Sequence, residues 1–253
     1  MTKRIVILQP QYFPWGGVFE QIKMADIYVH YDDVQFQHGG GFTNRVQVKT
    51  AQGIVWMTVP VTGASFTSIK ETPIDYKHKW RKKHLGLLSQ SFARAPFKKD
   101  MMDIAEAVLA PEHPDVAELN IKGIEACANY LGMAPAFYRS SALGIGGSST
   151  QRVVNICKHF GANVYITGLG ARNYIDYNMF EEAGIRLEYM DYADVQRPQL
   201  HGDFTPYTAI LDLIANCGKD GLKFLQSGSK YWRDILPLLE EKETPVPEER
   251  SCG

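Results

Sequence analysis

The sequence contains no apolar run approaching the roughly 18 residues that a membrane-spanning helix needs. Near its start the apolar stretch is only Ile5 to Leu8, too short for the core of a secretory signal, so a cytoplasmic location is expected. Cysteine is scarce. Cys127, Cys157, Cys217 and Cys252 form no CxxC pair, which argues against a disulfide framework and a thiolate metal cluster and leaves them as small buried hydrophobes. An excess of one charge is also missing: 27 Lys and Arg against 28 Asp and Glu give a formal net charge of -1. General polyanion binders need a large cationic surface, so no nucleic-acid partner is expected. There is no internal repeat, no low-complexity block and no Gly-Lys-Ser/Thr phosphate loop. No serine–histidine–acid or cysteine–histidine spacing marks a nucleophile.

What remains is an ordinary globular composition, 45% hydrophobic and 22% charged over 253 residues. Arg4 to Leu8 (RIVIL) is a β-branched apolar run, which reads as a strand buried on both faces. A loop rich in proline and glycine follows, then a helix from about Val18 to Met24 and a strand over Ala25–Tyr31. That unit predicts a parallel, right-handed crossover. Asn44–Lys49 and Ile54–Val61, joined by Ala51-Gln52-Gly53, read as a β-hairpin, with a short strand after it near Ser68–Ile74. From about 77 to 132 the spacing of apolar residues predicts three helices, over Trp80–Phe92, Lys98–Leu109 and Pro114–Leu131. The α/β rhythm then returns, with strands near Tyr138, at Asn163–Thr167 and at Ile185–Met190. Helices are expected from Ser148 or Ser149 to Phe160, over Asn173–Ala183, over Tyr207–Cys217 and over Lys230–Glu240. The expectation is a three-layer α/β domain of residues 1–241 with a mainly parallel, Rossmann-like or HUP-like sheet. It carries the hairpin as an excursion, the helical segment as an insert, and a frayed tail at 242–253.

Ligands of open α/β sheets bind outside the carboxyl ends of the strands. The loop Gln9-Pro10-Gln11-Tyr12-Phe13-Pro14-Trp15 stands at such an end, and its prolines stiffen it, so Gln9, Gln11, Tyr12 and Trp15 are candidate substrate contacts. Phe13 reads better as core. Asp32 and Asp33 follow the second strand, as an acid–base group, a magnesium ligand, a hydroxyl acceptor or a loop-ordering cap. His38 lies near them in sequence. Lys77 to His84 concentrates cations at a helix start: either Lys79, Lys83 and His84 clamp a phosphate beside Trp80, or they form a solvated face over a buried tryptophan. The turn Gly144 to Gly147 leads into Ser148-Ser149-Thr150-Gln151-Arg152. Free N–H groups at a helix start attract anions, which makes Ser149 and Arg152 phosphate candidates; a merely well-capped helix explains the same residues. Tyr174, Asp176 and Asp191 are placed to look into the same strand-end crevice, with Asn173 as a candidate cap.

The opening ILQPQYFPWGGVFEQI resembles that of the WbqC-like family. Likeness continues through Asp32 to Phe36, Asn44-Arg45, Trp56, Val59-Pro60-Val61 and Trp80-Lys83-His84, then at Arg152, Thr167-Gly168, Tyr174, Tyr189-Asp191-Tyr192 and Pro198-Gln199. Gly16-Gly17-Val18 departs from a commoner lysine-glycine-aromatic, and Gly39-Gly40-Gly41 loosens the loop before Asn44. The resemblance implies a cytoplasmic protein of cell-surface glycan (O-antigen) biosynthesis, transferring an acyl or aminoacyl group to an amino group of a nucleotide-activated sugar. In that reading Asp32, Asp33 and His84 do acid–base work, and Asn44 and Arg45 join the substrate contacts. The substrate is small and phosphate-bearing, the donor an acyl-CoA or an amino acid, and no resident metal is expected. A second reading is an ATP- and magnesium-using nucleotidyltransferase or ligase related to the HIGH-type enzymes, although glutamines stand where those use histidines. A third is a non-catalytic sugar-nucleotide-binding or scaffold protein.

Overall fold

The computed structural model describes residues 2–37, 41–63, 66–193 and 195–243. Its centre is a six-stranded sheet. In chain order the strands are β1 (Arg4–Leu8), β2 (Ile27–His30), β5 (Ala136–Arg139), β6 (Val164–Thr167), β7 (Arg186–Asp191) and β8 (Gly228–Tyr231). Across the sheet they run β5-β2-β1-β6-β7-β8; the first five are parallel and β8 is antiparallel to β7. β3 (Arg45–Thr50) and β4 (Gly53–Thr58) form a separate antiparallel hairpin.

Alternation along each strand explains the three layers. Val6, Tyr28, Ile166 and Met190 point into one core, with α1 (Gly16–Met24), α4 (Val116–Tyr130) and α7 (Ile210–Cys217). The hairpin, α2 (Trp80–Ser91) and α3 (Lys98–Leu109) extend that same core. Ile5, Ile7, Ile27, Val29, Tyr165 and Leu187 point the other way, onto α5 (Ser149–His159), α6 (Tyr177–Glu182) and α8 (Trp232–Glu243). The crossovers from β1 and β2 therefore cover one face, and those from β5 and β6 the other. The reversal falls between β1 and β6, which is the topological switch point of a doubly wound sheet.

Three local expectations need correction. Ser68–Ile74 is not a strand but a 3-10 turn over Ile69–Glu71, because Ser68 and Glu71 close a capping box and leave only single bridges to Gln35 and Val61. α6 begins at Tyr177 rather than Asn173, since Asp176, not Asn173, accepts the Asn178 N–H as the cap. β8 was not expected; Gly228-Ser229-Lys230-Tyr231 is polar and short, and only its pairing with β7 makes it a strand. The expected tail and His38 fall, apart from the end of α8, outside the described residues.

Candidate functional site

The switch point holds a cavity of about 480 Å³. Its floor comes from the ends of β1 and β6, through Ile7, Leu8, Gln9, Tyr165 and Thr167. One wall is the first turn of α5, with Ser149, Thr150 and Val153; Tyr31, Gln11 and Tyr174 complete the polar lining. Ser148 is the N-cap of α5 but makes no side-chain cap bond, so free N–H groups of the first turn remain uncapped by it. Gly147 (φ 110°) and Ser149 (φ 49°) take left-handed backbone angles that turn the chain sharply onto that helix. Four of the expected contacts thus meet here: Gln9, Gln11, Ser149 and Tyr174. Thr150 and Thr167, which stood inside marked runs without being singled out as contacts, and Tyr31 join them. Their signal was positional, since each lies at a strand end or helix start facing one edge.

Asp32 and Asp33 lie beside this cavity and are fully engaged. Asp32 is buried; Ser141 N donates to its Oδ1 at 3.0 Å and Ser141 Oγ to its Oδ2 at 2.7 Å. The Ser140 hydroxyl accepts from Asp32 N at 3.2 Å and points its proton between Asp32 Oδ1 at 3.0 Å and Asp33 Oδ1 at 2.6 Å. Asp32 thereby clasps the end of β2 to the turn after β5. Asp33 takes Arg152 Nη2 at 2.5 Å, while Arg152 Nε donates to the Ile145 carbonyl at 3.2 Å. Burial pushes the Asp33 carboxyl up, but hydrogen bonds from Arg152 and Ser140, with the Arg152 charge, outweigh it and hold the pKa below the usual range. A carboxylate held ionised and paired is a weak base. Arg152 also lies over the Tyr31 ring, 5.2 Å from its centre, so the ion pair braces one wall of the cavity.

The loop from Gln9 to Trp15 is pinned from several sides. Asn120, fully buried on α4, donates to the Pro10 carbonyl at 3.0 Å and the Thr43 carbonyl at 2.6 Å. Tyr12 N donates to the Phe42 carbonyl at 3.3 Å, and Ile210 N to the Pro14 carbonyl at 2.8 Å. Phe13 is buried against Gly123, as core. Trp15 packs between Tyr192 and Tyr207, at 5.0 and 5.3 Å between ring centres.

Other candidates are placed elsewhere. Asn44 ties the hairpin through the Val59 carbonyl at 2.9 Å, and Arg45 lies 4.5 Å over the Trp56 ring. Asp176 caps α6, and Asp191 pairs with Lys230 at 2.8 Å. Lys79 and Lys83 are exposed around the start of α2, and neither lines the cavity. His84, on the same helix, is buried with Nδ1 3.0 Å from the Tyr12 hydroxyl. Burial pushes its pKa from 6.5 down to about 4, against a hydrogen bond to the Thr58 backbone that pulls it back up. The folded state therefore prefers the neutral ring. Its stability is intact above pH 6.5 and lost as the pH falls from there through about 4, with a slope of at most about 1.4 kcal/mol per pH unit. Urea unfolding midpoints measured across that window are expected to drop with pH for the wild type and to flatten in His84→Gln. An unchanged acid limb in the variant excludes His84 as its origin.

Among the described residues, no group of three or more His, Cys, Asp or Glu side chains is gathered as a metal site. No described helix is long and apolar enough to cross a membrane.

A model of the WbqC-like protein family matches residues 9–224, most of the chain and all of this site except Ile7 and Leu8. The chain belongs to the WbqC-like protein family. "Uncharacterized protein Rv1507c" of Mycobacterium tuberculosis is similar to it, 33% identical over 228 residues that make up 88% of this chain and 98% of the relative. No solved structure matches the chain. Within this WbqC-like chain, the opening loop lines the cavity and the Asp33–Arg152 pair, its partners 119 residues apart in sequence, braces the Tyr31 wall beside it.

Proposed function

We propose that this WbqC-like protein is a cytoplasmic transferase of cell-surface glycan biosynthesis, binding a nucleotide-activated amino sugar in the switch-point cavity and accepting an acyl or aminoacyl group on the sugar's amine. The observation that carries the reading is the composition of that cavity. Uncharged hydrogen-bonding groups (Gln9, Gln11, Ser149, Thr150, Thr167) gather around the uncapped first turn of an 11-residue helix, which suits a phosphate-bearing ligand. Tyr31 and Tyr174 offer ring faces to a base or sugar.

The described lining holds no histidine or carboxylate, and Asp33 is paired away. An amine nucleophile suits such a site because it needs no strong base. The neutral amine's lone pair attacks the carbonyl carbon of the activated acyl group and the N–C bond forms. The bond from that carbon to the sulfur or oxygen of the donor breaks, the electron pair leaves with that atom, and the amine proton follows it. Gln11 orients the amine; Gln9 and the α5 N-terminus hold the phosphates.

Calorimetry of the full chain against UDP-, GDP- and dTDP-linked sugars, ATP, acyl-CoA and free amino acids tests the reading. Saturable binding of at least one nucleotide-sugar, with turnover when an acyl or aminoacyl donor is added, is expected. Binding of ATP with no nucleotide-sugar binding overturns it in favour of adenylyl-transfer chemistry, and nucleotide-sugar binding without turnover by any donor overturns the transfer step.

A further inference from the structure

A second cavity, of about 200 Å³, lies on the other side of Gln11. Its remaining walls are Tyr12, Pro14, Trp15, Phe42, Val46 and Tyr207. Among the described residues no charged side chain lines it, and a phosphate or free carboxylate placed there has no described cation to meet it. The walls are also rigid: Tyr12 is held by His84, Pro14 by the Ile210 N–H, and Trp15 by its two tyrosine neighbours. Gln11 borders both cavities, and its Oε1 is buried with no hydrogen-bond partner among the described residues. A buried acceptor left unpaired costs free energy, so an N–H supplied by a ligand is the simplest partner for it.

We infer that this aromatic cavity is the subsite for the donor's acyl group, a short, uncharged chain, with Gln11 at the junction where the acceptor amine meets the acyl carbonyl. The inference rests on the transferase reading above and sharpens it to a donor class. An apolar cavity of about 150 Å³ admits benzene, so this one takes an acyl group of about six carbons or fewer. Tyr207 and Phe42, 60% and 47% exposed, stand at the mouth through which the chain enters. A free amino acid with its charged ammonium fits this lining poorly, which favours plain acyl donors over aminoacyl ones.

The test titrates the full chain with the N-acetylcysteamine thioester of butyric acid, read by tryptophan fluorescence, since Trp15 lines the cavity. Saturable quenching is expected for the wild type. Val46→Phe fills the cavity and is expected to weaken butyryl binding about tenfold. Nucleotide-sugar binding, measured in parallel by calorimetry, is expected to stay as in the wild type. Val46 is buried, so circular dichroism checks the fold; Tyr207→Ala, at the exposed mouth, keeps the test decisive if Val46→Phe does not fold, with an expected loss of about fivefold. No saturable binding by the wild type, or binding unchanged in Tyr207→Ala and in a folded Val46→Phe, overturns the acyl subsite. Butyryl binding without any nucleotide-sugar binding sinks the transferase reading alone, and nucleotide-sugar binding without butyryl binding sinks the subsite alone.

Discussion

Asp212→Ala is expected to remove about 3–5 kcal/mol of stability, which is the usual cost of stripping one partner from a buried ion pair. Asp212 is 1% exposed on α7, and Arg197 Nη1 reaches its Oδ1 at 2.6 Å with a side chain only 9% exposed. Gln199 Nε2 donates to the same oxygen at 3.1 Å. With the carboxylate gone, a guanidinium stays in the interior with, among the described residues, only a long contact to Thr208 Oγ1 at 3.4 Å and the Phe204 ring. For a chain of this length the loss corresponds to a fall in Tm of about 10 °C, measurable by circular dichroism. The effect reaches the site as well, because the 195–209 segment that this pair anchors carries Tyr207, one wall of the smaller cavity. The double variant Asp212→Leu/Arg197→Leu is expected to recover much of the loss, since replacing both charges by apolar side chains leaves neither stranded. A loss below about 1 kcal/mol for Asp212→Ala shows that the pair is solvated in solution and sinks the argument.

That pair was not legible in the sequence, whereas much of the fold was. RIVIL announces a doubly buried strand because only a central parallel position consumes such a run, and the crossover that follows sets the chain direction. The helix spacing at Trp80, Lys98 and Val116 is equally explicit. Polar segments that acquire structure from their neighbours were harder to see. β8 exists because β7 offers it an unpaired edge, and Asp176 captures the start of α6 through a single cap bond. The site divides in the same way. Gln9, Gln11, Ser149 and Tyr174 stand at strand or helix ends, and topology alone delivers them to one crevice. Asp32 and Asp33 stood open in the sequence between acid–base, metal-ligand, hydroxyl-acceptor and loop-ordering roles; Ser140 and Ser141 engage the first, and Ser140 and Arg152 the second. Such pairings span more than a hundred residues, and no local pattern announces them. The cations of the 77–84 run illustrate the opposite limit: a dense motif in sequence becomes an exposed helix start at Lys79 and Lys83, with His84 turned inward to Tyr12.

Gln9→Glu is expected to weaken nucleotide-sugar binding by about hundredfold, or about 3 kcal/mol, through like-charge repulsion rather than loss of shape. Gln9 closes β1 and shares the cavity with Ser149 and Thr150 of the first turn of α5. A carboxylate there is nearly isosteric with the amide. On the proposed reading it would take for itself the favourable potential of the helix N-terminus and face the diphosphate of a bound nucleotide-sugar across a partly desolvated space. Gln9→Ala supplies the control. It removes one neutral hydrogen bond, worth about 0.5–1.5 kcal/mol, so its affinity is expected to fall by about tenfold or less. The difference between the two variants isolates charge from contact. It also carries a pH signature: a glutamate ordinarily titrates near about 4.3, and the helix terminus lowers that further, so the penalty persists across the neutral range. Raising the salt concentration is expected to narrow the gap only partly, because the cavity walls limit screening. Calorimetry with the nucleotide-sugar that binds the wild type best decides the matter. If Gln9→Glu and Gln9→Ala bind it equally, the phosphates do not sit at the α5 terminus, and the cavity must be read as holding the ligand the other way round.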